Sequence, residues 1–163
     1  RMATIDGGTQ IFNRKYLMET LESEFKISKT YGRPLTLIYY DLDFFKKVND
    51  QHGHSAGDHI LKESAQLVKT CIRKDDIFGR IGGEEFAIIL PNTNSRTAYD
   101  LAERIRKLIE EHVFKHDSKK IKQTVSFGVS ENRGQFSDFK SLLDDADKKL
   151  YHSKSTGRNI VTV

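Results

Sequence analysis

Ile77-Phe78-Gly79-Arg80-Ile81-Gly82-Gly83-Glu84-Glu85-Phe86-Ala87-Ile88-Ile89-Leu90 is the stretch whose reading decides the fold. Two β-prone apolar runs, residues 77–81 and 86–90, flank Gly82-Gly83-Glu84-Glu85. The two glycines permit positive φ at the bend, so a β-hairpin is predicted. Upstream, residues 35–40 form a continuous apolar run that fits a central strand. Downstream, Val125, Phe127 and Val129 alternate as a half-buried strand should, and residues 160–163 close the chain as a last strand.

Four helices are predicted from apolar spacing near 3.6. The first carries Leu17, Leu21, Phe25 and Ser28 on one face, and the second Ile60, Ser64, Leu67, Val68 and Cys71. The third carries Ala98, Leu101, Ala102, Ile105, Leu108 and Ile109, with Asn94 or Ser95 as its cap. The fourth carries Phe139, Leu142, Leu143, Ala146 and Leu150. Helices and strands alternate, yet a hairpin interrupts them. The expected fold class is therefore an α/β (α+β) sandwich with a central mixed sheet of about five strands flanked by helices. Residues 115–122, rich in lysine, are expected to be a solvated loop.

The chain has 163 residues, which suits one domain spanning 1–163. Its start, Arg1-Met2-Ala3, is unlike a natural N-terminus, so a catalytic fragment of a longer protein is expected. No run of about 18 apolar residues and no signal-peptide pattern is present. Cys71 is the sole cysteine, which excludes an intrachain disulfide and suits the cytoplasm. A net charge of +4 could favour an anionic ligand, but it is too small to indicate nucleic acid.

Several clusters carry chemistry. Asp41 and Asp43 follow the central strand and share a side of it, with Leu42 opposite. Hard carboxylate oxygens there suit Mg²⁺, although a cap or turn would use the same residues. Glu84 and Glu85 repel each other at the hairpin tip unless a cation or water screens them. If the hairpin pairs beside the strand at 35–40, Glu84 and Asp41 converge on one divalent-metal site. His52-Gly53-His54-Ser55-Ala56-Gly57-Asp58 leads into the second helix, where a glycine-bearing loop can admit an anion, or Asp58 can cap. No cysteine pair or second histidine cluster accompanies His52, His54 and His59, which argues against zinc. Lys154 and Arg158 follow the last helix, placed either to complement its dipole or to hold phosphates. The P-loop pattern is absent. Acidic ligands, a helix N-terminus and distal cations together point to metal-assisted chemistry on a nucleoside triphosphate.

These residues resemble the GGDEF family of diguanylate cyclases. Gly82-Gly83-Glu84-Glu85-Phe86, preceded by Arg80, is similar to its signature in the GGEEF form. Asp41-Leu42-Asp43-Phe44-Phe45-Lys46 with Asn49-Asp50, then Gly53-His54 and Gly57-Asp58, resembles its second core motif. Lys154-x-x-Gly157-Arg158-Asn159 is similar to its closing motif, and the resemblance runs from Asp6 to Val163.

The resemblance implies a fold akin to polymerase palms and nucleotide cyclases. It implies the joining of two GTP into cyclic di-GMP with release of two pyrophosphates, across a homodimer assembled by an upstream sensory or receiver domain. By position, Asp41 and Glu84 would hold Mg²⁺ or Mn²⁺, assisted by the Leu42 carbonyl and Glu85. Glu84 is also the family's proposed base; a metal-bound carboxylate is a poor base, so the ligand role takes precedence. Lys46 would neutralise phosphate charge, and Phe45, His54 and Gly83 would line the GTP site. Asn49 and Asp58 would read the guanine edge, and Lys154 and Arg158 would grip the terminal phosphates. Asp58, where makers of a mixed product carry serine, implies cyclic di-GMP as product. Arg73 and Asp76 match the family's inhibitory RxxD site, and Arg104 falls where some members place a second inhibitory arginine. The alternative implied is a catalytically silent domain that senses cyclic di-GMP. No nucleic acid and no membrane contact is implied.

The N-terminal turn departs from the family pattern, with Gly8 for a leucine and Gln10 for a glycine. Gly8 is expected to weaken its packing, and Gln10 to require a turn without positive φ.

Overall fold

A computed structural model describes residues 3–163; Arg1 and Met2, and with them most of the atypical start, lie outside the described residues. The chain runs α1 (Arg14–Tyr31), β1 (Leu35–Leu42), α2 (Phe45–His52), α3 (His54–Lys69), β2 (Ile77–Gly82), β3 (Glu85–Pro91) and α4 (Ser95–Glu111). It continues through β4 (Phe114–His116), β5 (Lys119–Ile121), β6 (Val125–Asn132), α5 (Phe139–Ser155) and β7 (Val161–Thr162).

The main sheet has five strands in the order β2-β3-β1-β6-β7. β1 pairs antiparallel with β3 on one side and β6 on the other, whereas β6 and β7 are parallel. The sheet is thus mixed, as expected, and all eight residues of β1 are buried. A strand covered on both faces has no need to alternate apolar with polar. Period-2 geometry still divides its side chains. Leu35, Leu37 and Tyr39 pack with Leu17, Leu21 and Phe25 of α1 and Leu142, Ala146 and Leu150 of α5. Ile38, Tyr40 and Leu42 pack with Ile60 and Val68 of α3 and Leu101, Ile105 and Ile109 of α4. Tyr40 stacks on its cross-strand neighbour Phe86 at 5.0 Å between ring centres, and Phe127 lies at 5.3 Å on its other side. Asn94, rather than Ser95, caps α4 by accepting from Thr97 N at 2.9 Å.

The structure corrects two expectations. Residues 115–122 are not a plain loop: β4 and β5 form a small hairpin, seated by the buried Phe114 and Ile121. The segment after β1 also contains the unanticipated helix α2. Among the described residues, no helix is long and apolar enough to cross a membrane.

The close approach of α5 to β6 depends on one glycine. A Cβ at Gly128 would lie 2.2 Å from the Ala146 carbonyl oxygen and 2.4 Å from Leu150 N. Both obstacles are backbone, so a methyl group must push the helix away. This seat carries the C-terminal end of α5 across the end of β1. Gly128→Ala should lower stability by about 3 kcal/mol, the upper end of overpacking costs. Urea denaturation measures this, and an unchanged midpoint would contradict the packing account.

Candidate active site

The antiparallel register of β1 and β3 sets Asp41 opposite Glu85, on the α5 face of the sheet. The hairpin does pair beside the central strand, and Leu42 N donates to the Glu84 carbonyl at 3.2 Å. Gly82 pairs with Glu85, which leaves Gly83 and Glu84 as the turn. Of the two glycines only Gly83 takes positive φ, at 51°. Arg80 splints the tip: its Nε donates to the Gly83 carbonyl at 2.9 Å and its Nη1 to Asp6 Oδ2 at 3.1 Å.

The splint borders the unusual N-terminal turn. A Cβ at residue 8 would sit 3.0 Å from Arg80 Nη1, so Gly8 lies against the Arg80–Asp6 pair. The expectation for Gln10 is overturned. Its φ is +64°, left-handed like a glycine's, and its side chain secures the turn by donating to the Gly7 carbonyl at 2.8 Å.

Asp41 is 5% exposed and forms an ion pair with Lys154. Burial pushes its carboxyl up to about 6; Lys154 opposes the rise, while Glu84 and Glu85 add to it. Asp147 on α5, which sequence reading did not single out, is raised by burial and by Glu85. Glu85 accepts from the Tyr39 hydroxyl at 3.0 Å. Four carboxylates therefore share this end of the sheet, and the glutamates add to the rise that burial causes at Asp41 and Asp147.

Asp43 has a different task from Asp41. Its carboxylate accepts from Thr124 Oγ1 and Ser126 Oγ, both at 2.7 Å, and from Asn159 N at 3.1 Å. It ties β1 to β6 and to the turn after α5. Nothing in the sequence joined residue 43 to 124, 126 and 159, because that contact depends on sheet register.

Phe44 and Lys46 lie at the start of α2, and both are exposed. Gly53, at φ 92° and ψ 159°, ends α2 and starts α3, a conformation open essentially to glycine alone. His54 and Asp58 are exposed in the first turns of α3; Gly53, with no side-chain bond, holds the cap position that Asp58 had been a candidate for. Asn49 crosses to α3 so closely that a Cβ on Gly57 would fall 1.9 Å from its Oδ1, with the Phe45 ring at 3.1 Å. The two expected guanine readers, Asn49 and Asp58, thus flank one helix junction. Arg158 stands at the other edge, with Nη1 4.0 Å from Asp43 and its guanidinium 4.5 Å from the Phe44 ring centre.

A second cluster lies elsewhere. Arg73 Nη2 bonds Asp76 Oδ1 at 3.0 Å and Thr93 Oγ1 at 2.6 Å. Arg104, distant in sequence, donates to the Cys71 carbonyl at 3.1 Å and lines one cavity of about 290 Å³ with Arg73 and Asp76.

Among the described residues, no three His, Cys, Asp or Glu side chains form a ready metal cage. The donor set at Asp41 nonetheless fits a hard divalent ion. Mg²⁺ takes one or two carboxylates and completes its shell with carbonyl, water and phosphate oxygens. A carboxylate raised by burial and further by Glu84 and Glu85, against the pull of Lys154, is a site that favours added positive charge.

The crowding has a pH signature. With its pKa raised, Asp41 retains a proton in the folded chain between about pH 4 and 6, where the unfolded chain has released it. This group's contribution to stability therefore falls as pH rises through that window. Asp41→Asn should remove the fall and melt about 2–5 °C above the wild type at pH 7.5 without metal. Differential scanning fluorimetry measures both, and a lower midpoint would contradict the crowding account.

Comparison with known proteins agrees with this geometry. The family described as diguanylate cyclase, GGDEF domain, matches residues 3–160. Diguanylate cyclase A of Treponema denticola is 41% identical over 165 residues, covering 99% of this chain and 44% of that protein. The response regulator PleD of Caulobacter vibrioides is 38% identical over 162 residues, covering 98% and 36%. The chain thus spans less than half the length of these curated relatives. The GGDEF domain of DgcB from Caulobacter crescentus, solved in complex with c-di-GMP, superposes with a TM-score of 0.94 at 33% identity, covering 99% of this chain and 93% of that one. The active GGEEF domain of a diguanylate cyclase from Vibrio cholerae gives 0.88 at 37% identity, covering 94% and 97%. The hairpin, the strand-end carboxylates and the match along nearly the whole sequence together place this chain in the GGDEF domain family.

Proposed function

We propose that this chain is a diguanylate cyclase domain, formed by residues 1–163, that condenses two GTP into cyclic di-GMP. The observation that carries the reading is the register that sets Asp41 against Glu85 and the Glu84 turn. Asn49 and Asp58 flank the α2–α3 junction, Lys154 pairs with Asp41, and Arg158 lies beside Asp43 and Phe44. Each chain supplies one half-site. Two chains face each other, and the 3′-hydroxyl of each GTP attacks the α-phosphate of the other. Two P–O bonds form at the α-phosphates as the two α–β phosphoanhydride bonds break, two pyrophosphates leave with those electron pairs, and each hydroxyl proton passes to water.

Asp58 accepts from the guanine N1 and N2 donors and the Asn49 amide bonds the guanine edge beside it, within a site lined by Phe45, His54 and Gly83. Lys46 and Arg158 offset charge on the phosphates. Lys154 balances Asp41 in the free chain and is available to phosphate once a cation takes that role. Asp41, Glu84, Glu85 and the Leu42 carbonyl would hold Mg²⁺ or Mn²⁺, which supplies positive charge beside the reacting phosphate. Arg73, Asp76 and Arg104 would bind cyclic di-GMP and inhibit, since Arg pairs with phosphate or guanine in bidentate fashion. An upstream sensory or receiver domain would bring the half-sites together, in the cytoplasm where GTP is at hand.

Incubation with GTP, ATP and Mg²⁺, followed by mass spectrometry, tests the reading. Cyclic di-GMP is expected from the wild type, as the chain alone or fused to a dimerising segment, and none from Glu84→Ala. Arg73→Ala should resist inhibition by added product by at least about tenfold, the effect of losing a bidentate charged contact. No cyclic di-GMP from the dimerised wild type would overturn the reading.

A further inference from the structure

Two cations share one exposed ring beside the phosphate end of the site. The Lys47 ammonium lies 4.9 Å and the Arg158 guanidinium 4.5 Å from the centre of the Phe44 ring. We propose that Lys47 is a triphosphate-binding residue and that Phe44 is the positioning residue that holds Lys47 and Arg158 as a paired clamp. The inference rests on the reading of this site as a GTP site.

Three features single out this corner. The first is strain. Phe44 is left-handed at φ 54° and ψ 33°, and Arg158 and Asn159 are also left-handed, at 63° and 51°. Asparagine tolerates this region, whereas bulky residues such as Phe and Arg rarely enter it, and such backbones persist where the surroundings fix them. The second is exposure. Phe44 is 53% exposed, whereas Phe45 beside it is buried. An aromatic face left in water here is occupied by cations, the partner its quadrupole attracts.

The third is charge. Among the described residues, Lys47 has no carboxylate partner. Arg158 has only Asp43, at the 4.0 Å limit, and the Asp43 oxygens are already bonded to Thr124, Ser126 and Asn159. Two like charges on one ring repel, and an anion between them turns the repulsion into attraction. Lys47 also lies in the first turn of α2, whose free amides favour the same anion. A polyphosphate supplies that anion while its base reaches Asn49 and Asp58 at the junction of α2 and α3. Lys47 stands one residue beyond the motif lysine, Lys46, so neither the motif nor the resemblance assigns it.

The test is binding of 3′-deoxy-GTP, which cannot react, by isothermal titration calorimetry with Mg²⁺, with GMP as the ligand lacking terminal phosphates. Phe44→Leu and Lys47→Gln should each weaken 3′-deoxy-GTP about three- to fivefold and leave GMP unchanged, with Phe44→Tyr restoring wild-type affinity. Affinity in Lys47→Gln should also depend less on salt. Unchanged 3′-deoxy-GTP affinity in both variants, or equal loss for GMP, would overturn the proposal and leave the cyclase reading standing. A wild type that binds neither ligand would overturn both.

Discussion

The end of the central strand is where the structure concentrates an unfavourable charge. β1 is hydrogen-bonded on both edges and covered on both faces, so a carboxylate near its end loses most of its water. Asp41 occupies that place, with Glu84 and Glu85 brought beside it by the antiparallel partner and Lys154 as its counter-charge. A core built for stability alone would not gather these groups. Several elements meet at this end: the hairpin delivers glutamates, α5 delivers Lys154, and α2 and α3 bring Asn49 and Asp58 alongside.

The supports of the site are as specific as the site. Gly128 lets α5 press against β6, and so decides where Lys154 falls. Asp43 uses its carboxylate to join β1, β6 and the turn after α5, which fixes Arg158. Arg80 reaches from the hairpin tip to Asp6, and the Phe12 backbone bonds to Phe78 and Arg80, so the N-terminal turn is tied to the hairpin at several points.

Much of this was legible in the residues, for identifiable reasons. The run at 35–40 and the Gly82-Gly83 bend are strong local signals, and the four long helices carry wide apolar stripes. Helix α2 escaped because its eight residues offer only Phe45 and Val48 as apolar anchors, behind a left-handed Phe44. The β4–β5 hairpin escaped because lysines mask two buried anchors. Asp41 and Glu84 could be joined conditionally, since strand pairing implied their meeting. The Lys154–Asp41 ion pair spans 113 residues, and the task of Asp43 rests on cross-strand register. Neither has a local signal. The positive φ of Gln10 shows the converse, a left-handed position kept without its glycine because the amide bonds back to Gly7.

The central claim is that the crowding at Asp41 exists to receive a cation together with nucleotide. The most direct measurement is the thermal midpoint with a fixed excess of 3′-deoxy-GTP as Mg²⁺ is added, in the wild type and in Asp41→Asn at pH 7.5. Binding to the folded state raises the midpoint with the logarithm of free ligand relative to its dissociation constant. The account predicts a Mg²⁺-dependent rise in the wild type that is absent or much reduced in Asp41→Asn. An equal rise in both would contradict it, and would place the cation away from the end of β1.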